Sequence, residues 1–415
     1  MRRRQLVLGA LLALACAGMF TGCSCGSNPV APVVPPLSAV ILTPPSDTLV
    51  VGAQHQFTAQ AFDTNGTAVA GVPFHWAVGD PNVITVSSTG RVTAVGEGVT
   101  TLVASAGGKA DTATVATFVQ AGWYTQPSST TNELFAITFR PDGRSGWAVG
   151  DAGTIVHTAD AGASWSTQVS STAFNLHGVS FTSDQTGFAV GFGGTVMRTT
   201  NGGTTWTRLT NVGASANLLD VWFADAQHGW AVGANGLIVR TDDGGASWSR
   251  QNPTAQQLNS VSFSDTTNGW AVGEGGVIVG THDGGRSWYV VQPSVTSNAL
   301  KAVWRRSNTA AWAGGAQGTY ATTSSTPDSL QWNLQPSFGV SNQVFGLMMV
   351  DDLTGYAVGS NGQGLVLKTE NGGGSWSPQL SNAPAQLNDV WFVDGLRGWA
   401  VGAVGRIVHT SKGGL

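Results

Sequence analysis

GWAVGANGLIVRTDDGGASW occupies residues 229–248 and reads as a β-hairpin whose strands fall at 229–233 and 237–241. The chain then spells it again with small changes. Its Gly-aromatic-Ala core begins at Gly146, Gly187, Gly229, Gly269, Ala311, Gly355 and Gly398, at spacings of 40 to 44 residues. A period near 42 residues with four strand-like segments per unit predicts the blades of a β-propeller.

The residues that recur are those such a ring needs. A lone four-stranded blade cannot bury both faces, so each requires a neighbour on either side. Large aromatics fill the wedges: Trp147, Phe188, Trp230, Trp270, Trp312, Tyr356 and Trp399 from the second strands, and Trp165, Trp206, Trp248, Trp288, Trp332 and Trp376 from the fourth. The seventh fourth-strand residue is upstream. Trp123 precedes Phe139 by 16 residues, as Trp165 precedes Phe181 and Trp376 precedes Phe392. The segment 122–126 is therefore predicted to complete the last blade, closing a seven-bladed ring over residues 119–415.

The element Thr-x-Asp-x-Gly-x-Ser-Trp, clear at 158–165, 241–248 and 281–288, resembles the Asp-box of sialidases and related propellers. Its acids are Asp160, Asp243 and Asp283, Asn201 and Asn371 replace Asp in two copies, and the fifth and seventh units lack the box. Chemically it is a turn device: Asp or Asn accepts backbone amides, Gly permits positive φ, and Trp anchors the turn. One carboxylate per blade is too few for calcium, so these positions are read as structural, with no metal.

The residue before each box Thr is basic in five units: His157, Arg198, Arg240, Lys368 and His409. Two readings stand. These side chains pair locally with neighbouring acids, or they form a basic ring that docks an acidic partner.

Composition supports an all-β chain: 57 Gly and 16 Trp among 415 residues, with no stretch patterned as a long amphipathic helix. The formal charge is −4, about −7 once Arg2, Arg3 and Arg4 are set aside, which argues against nucleic acid as a partner. Those arginines precede an apolar run over residues 6–20, the pattern of a signal peptide spanning 1–22. Phe20-Thr21-Gly22-Cys23 resembles the lipobox of bacterial lipoproteins. The resemblance implies an exported chain held to the membrane through lipid on Cys23, and Ser24 after it points to the outer membrane. The three cysteines, Cys16, Cys23 and Cys25, leave no pair to staple a domain after processing, and two thiols without His partners do not make a metal site. Residues 23–36, with Pro29, Pro32, Pro35 and Pro36, read as an extended tether.

Between the tether and the ring, residues 37–118 carry short alternating strands broken by turns such as Asp63-Thr64-Asn65-Gly66, the pattern of a β-sandwich. The segments Thr48-Leu49-Val50-Val51-Gly52, Phe74-His75-Trp76, Ser88-Thr89-Gly90-Arg91 and Ala110-Asp111-Thr112 resemble the bacterial immunoglobulin-like group 2 family. The resemblance implies a spacer or adhesive module, with Trp76 as its buried core Trp and His75 facing solvent.

The ring resembles the photosystem II stability and assembly factor family, in repeats such as Asp389-Val390-Trp391-Phe392 followed by Arg397-Gly398-Trp399-Ala400-Val401-Gly402. That resemblance implies a seven-bladed scaffold that binds a protein partner or an envelope polysaccharide, without catalysis and without a cofactor. The alternative is a sialidase-like or other glycoside hydrolase, which the Asp-boxes suggest. Against it, the ring holds only Glu133, Glu274 and Glu370, Tyr124, Tyr289, Tyr320 and Tyr356 fall at strand or blade-core positions, and Asp220, Asp265 and Asp389 read as solvated loop acids. No residue is assigned as catalytic. Recognition is expected on the variable loops joining one blade to the next, such as 168–175, 210–217 and 251–259.

Overall fold

The computed structural model describes residues 36–118, 122–324, 331–339 and 342–414. Among them, every extended segment is a strand, and the only helical pieces are single 3-10 turns. Cys23 and the predicted signal and tether segments lie outside the described residues.

The N-terminal region is a sandwich. Ser46–Val50 runs parallel to Lys109–Phe118, which pairs antiparallel with Gly98–Ala106, itself flanked by His75–Val78. The facing layers are Leu37–Thr43 with Thr58–Asp63 and Ala68–Val69, and Gln54–Gln56 with Arg91–Ala94 and Ile84–Val86. Phe57, Ile84, Val92, Leu102, Ala104 and Val115 are buried between them. Trp76 does not sit at the centre of this core as expected; it is half-buried at its margin, its ring laid over Gly90, where a Cβ would come within 2.5 Å. His75 is exposed.

The second region is seven four-stranded antiparallel sheets. Blade 3 is typical: Leu218–Phe223, Gly229–Gly233, Ile238–Thr241 and Ser249–Gln251, inner to outer. Blade 7 takes Leu387–Phe392, Gly398–Gly402 and Ile407–Thr410 from the end of the chain and its outer strand, Tyr124–Gln126, from the beginning. Trp123, fully buried, seats this clasp edge-on against Tyr356 and Phe392, and Asn382 Nδ2 donates to its carbonyl at 3.0 Å.

The packing explains residues 229–248 one by one. A Cβ on Gly229 would stand 2.4 Å from the Phe223 ring and one on Gly233 1.9 Å from the Asn217 carbonyl oxygen, so neither position has room for a side chain. Trp230 points out of the blade, stacks on Phe263 of the next inner strand at 3.5 Å and donates its indole N–H to the Gly284 carbonyl at 2.9 Å. The same stacking joins Trp147 to Phe181, Phe188 to Phe223, Tyr356 to Phe392 and, across the closure, Trp399 to Phe139. Between blades 4 and 5 the buried guanidinium of Arg305 replaces the Phe and lies over Trp270 at 5.6 Å.

Each inner strand also carries a bulge at its start. In blade 3, Leu218 pairs with Gly233 and Asp220 with Val232, so Leu219 is left over. The same slip isolates Phe135, His177, Asn259, Lys301, Phe345 and Asn388. A bulge re-aims its extra side chain, and all seven line the central channel.

Candidate functional site

The two faces of the ring differ in kind. Box loops pack on the hairpin between first and second strands, as in Gly244 N–H donating to the Gln227 carbonyl at 2.9 Å. On the opposite face the 3-10 turn between second and third strands packs on the blade-to-blade loop, as in Ala234 N–H to the Asn217 carbonyl at 2.9 Å.

On the first face, the box residues are occupied with one another. Thr241 Oγ1 donates to Asp243 Oδ1 at 2.8 Å and accepts the Gly245 amide, while Asp243 accepts both the Ser247 amide and hydroxyl. Those Ser247 bonds hold the Asp243 carboxyl at about 2. Asp160 and Asp283 repeat the arrangement with Ser164 and Ser287. Asn201 and Asn371 reproduce it with Thr205 and Ser375 as neutral counterparts. Part of the turn also survives in blade 7, where Gly414 N–H donates to Thr410 Oγ1 at 2.8 Å.

The five basic positions do not form an open ring. His157 lies over Trp147 at 4.8 Å, Arg198 over Phe188 at 5.7 Å and Lys368 over Tyr356 at 6.0 Å. Arg240 stands opposite Trp230 in register and pairs with Asp242, while Lys368 pairs with Glu370 at 2.8 Å. His409 stacks on Trp399 at 4.6 Å, bonds the Tyr124 hydroxyl and is pushed down to about 3 by burial and then by Arg397, so it is neutral. Lys368 and His409 are buried. The arrangement agrees with local pairing, and the physical reason is that an aromatic on the second strand offers a face against which the long side chain opposite can lie.

Asp220 and Asp389 also depart from expectation. Neither is a solvated loop acid; both stand on inner strands in the wall of the central channel. Asp220 Oδ2 accepts the Val261 amide at 2.8 Å and the Ser260 hydroxyl at 3.0 Å, and Asp389 Oδ2 accepts the Ile137 amide at 2.9 Å, so each carboxylate bridges to the next blade. Burial pushes Asp220 up to about 6 despite those bonds. Burial, with the Asp220 charge adding to it, pushes Asp389 up to about 7. Asp265 does remain a turn acid: against a burial penalty, Thr267 and Asn268 hold it at about 2.

Down the channel the order follows the inner strand. The rim holds the bulged residues, with His177 stacked between Phe135 at 4.2 Å and Phe192 at 4.5 Å. Burial pushes His177 down to about 4. Asp220 and Asp389 come next. Two residues further, about 7 Å along the strand, stand Trp222, Trp304 and Trp391, touching edge to face at 5.4 and 6.1 Å. The cavity, open at the rim, measures about 270 Å³. Among the described residues, no three metal-ligating side chains converge. The sequence reading missed this site because residues three and five of the inner strand look like ordinary alternation until seven copies face one axis.

The family model described as Photosynthesis system II assembly factor YCF48 matches residues 115–211 and 208–300, and Bacterial Ig-like domain (group 2) matches residues 36–116. The chain joins a group 2 Ig-like domain to a YCF48-type propeller. Among solved structures, YCF48 bound to D1 peptide is 22% identical, covering 71% of this chain and 98% of that one with a TM-score of 0.60. YCF48 from Cyanidioschyzon merolae is 22% identical, covering 70% and 99% with a TM-score of 0.59. A GH74 xyloglucanase from Xanthomonas campestris is 15% identical, covering 71% of this chain and 54% of that one with a TM-score of 0.55. At these identities the likeness shows the propeller fold alone. No curated protein matches the chain.

Proposed function

We propose that the chain is a non-enzymatic, exported lipoprotein whose YCF48-type propeller binds a segment of a partner protein, with the Ig-like domain and tether as a spacer from the outer membrane. The reading rests on one observation above the others: the face built from blade-to-blade loops and 3-10 turns presents large apolar side chains to solvent. Val169 is 76% exposed, Leu380 73% and Val404 63%, and Phe174 is exposed as well; they fall on blade 7 and on the loops that leave blades 1 and 6. Apolar side chains on loops held by a rigid scaffold are the common material of recognition surfaces. The relative solved with a bound D1 peptide supports a polypeptide over an envelope polysaccharide as the partner.

The glycoside hydrolase alternative would have to use Asp220 and Asp389, the acids that burial holds near neutrality. Both spend oxygens on backbone amides of the neighbouring blade, which favours binding over catalysis. Replacing the loops 168–175, 210–217 and 251–259 is expected to abolish capture of a defined envelope protein that Asp243→Ala leaves intact. Turnover of a sialoside or xyloglucan by purified protein, lost in Asp389→Asn, would overturn this reading.

A further inference from the structure

The central channel has the makings of a binding site in its own right. Its wall carries Asp220 and Asp389, and among the described residues neither makes an ion pair. The other charges around it do not compensate them. Lys301 is held by Glu274 at 2.5 Å, and Glu133 accepts Gln386 and Asn388 at the rim. Arg140, at the far end, pairs with Asp184. Asp220 and Asp389 are thus the acids of the wall left without a cation among the described residues, and burial opposes the charge of both.

Beneath the two aspartates, the indoles of Trp222, Trp304 and Trp391 meet at steep angles, 81° and 83°, so their faces turn toward different sides of one space. The indole N–H groups of Trp222 and Trp304 have no hydrogen-bond partner. Aromatic faces attract cations through the ring quadrupole, most strongly when water is excluded. A cavity of about 270 Å³ lies just below the size of sites for drug-sized ligands, which suits a single head group and excludes a sugar chain.

We propose that this channel is a receptor for one organic cation, an ammonium or guanidinium group, seated on the three tryptophans and neutralised by Asp220 and Asp389. The rim opens on the face with the blade-to-blade loops, so the group enters from that side. The inference stands on the channel geometry and not on the apolar loops, and its test needs no partner protein.

The test is calorimetric titration of the full chain with tetramethylammonium, Nα-acetyl-lysine methylamide and Nα-acetyl-arginine methylamide, with sodium chloride as the ionic control. Saturable binding of at least one organic cation is expected, with a change in tryptophan fluorescence. Asp389→Asn and Trp304→Leu are each expected to weaken it at least tenfold. A second readout uses the unmodified chain alone: binding near pH 6.5 releases protons, measured in two buffers of different ionisation heat, and binding near pH 8.5 releases fewer. Tighter binding of tetramethylammonium points to a free quaternary solute as the source, and tighter binding of a capped amino acid to a protein side chain; both support the site. Absence of saturable binding at 10 mM, an equal response to sodium chloride, or binding without proton release near pH 6.5 overturns the proposal.

Discussion

Asp389 concentrates the chemistry of the ring at the scale of one residue. Its folded pKa, about 7, lies above the ordinary carboxylate value near 3.9 because burial, reinforced by Asp220, resists its charge. The native state therefore holds its proton more tightly than the unfolded chain. The stability linked to this group is complete below about pH 4 and lost as pH rises through about 7. His177 and His409 act in the opposite sense: their pKa values are depressed, to about 4 and about 3, so their contribution is full above about pH 6.5 and lost on acidification. Between pH 8 and 6.5 the two kinds of group oppose one another: proton uptake at Asp389 and Asp220 adds about 1 kcal/mol, while protonation of the unfolded histidines removes about 0.4 kcal/mol for each of His177 and His409. In denaturant titrations over that interval Asp389→Asn is expected to fall behind the unaltered chain by about 0.8 kcal/mol as the pH is lowered. An unchanged slope in the variant would mean the carboxyl is ionised and solvated. Nothing in the sequence around Asp389 signals this, because Asn388-Asp389-Val390 has the look of a solvated turn until the strand is bent into the channel.

At the scale of the element, the blade was readable and its bulge was not. The Gly-aromatic-Ala-Val-Gly strand declares itself because the last glycine meets a backbone carbonyl in every blade and the first meets an inner-strand side chain in all but blade 5, where Ala311 replaces it. Gly233→Ala is expected to cost several kcal/mol, since a Cβ would stand 1.9 Å from the Asn217 carbonyl and the backbone of the bulge would have to move. A loss within experimental error would contradict the tight crossing of inner and second strands. The bulge escapes pattern reading because one extra residue after a conserved-looking Leu shifts the alternation by a single place, and the residues put there, from Phe135 to Lys301 and Asn388, share no chemistry. The clasp is the second element to test. Trp123 is fully buried against Tyr356 and Phe392, so Trp123→Ala should destabilise the propeller by about 3–5 kcal/mol. Thermal unfolding would show the propeller transition falling and the Ig-like transition unmoved; a propeller transition that does not fall would place the closing strand elsewhere.

At the scale of the molecule, the ring is a rigid holder with two unlike faces. The box face is spent on its own turns, and of its five basic neighbours His157, Arg198, Lys368 and His409 lie against aromatics while Arg240 pairs with Asp242. The loop face carries exposed Val169, Phe174, Leu380 and Val404 and the rim of the channel, while Leu353 and Leu396 are exposed on the hairpins of the box face. Anchoring belongs to this scale as well. If Cys23 carries lipid, Cys23→Ala should move the protein from the membrane to the soluble fraction or block its processing, since acyl chains supply the affinity. Membrane retention with normal cleavage in that variant would sink the lipoprotein reading, and fractionation followed by mass measurement of the mature N-terminus distinguishes the cases.

The amino-acid sequence by itself determined the blades, because each blade is a local hairpin pattern and its repetition every 40 to 44 residues states the architecture without any long-range information. It also determined the Asp-box turns, in which each bonded pair is at most four residues apart. Only the tertiary structure decided where the charge and the site reside. Asp220 and Asp389, with three blades between them along the chain, stand in the wall of one channel because the ring closes, and the tryptophans of blades 3, 5 and 7 meet for the same reason. Burial of a carboxyl and the coupling between two of them depend on the protein that surrounds them, and no period along the chain encodes that surrounding.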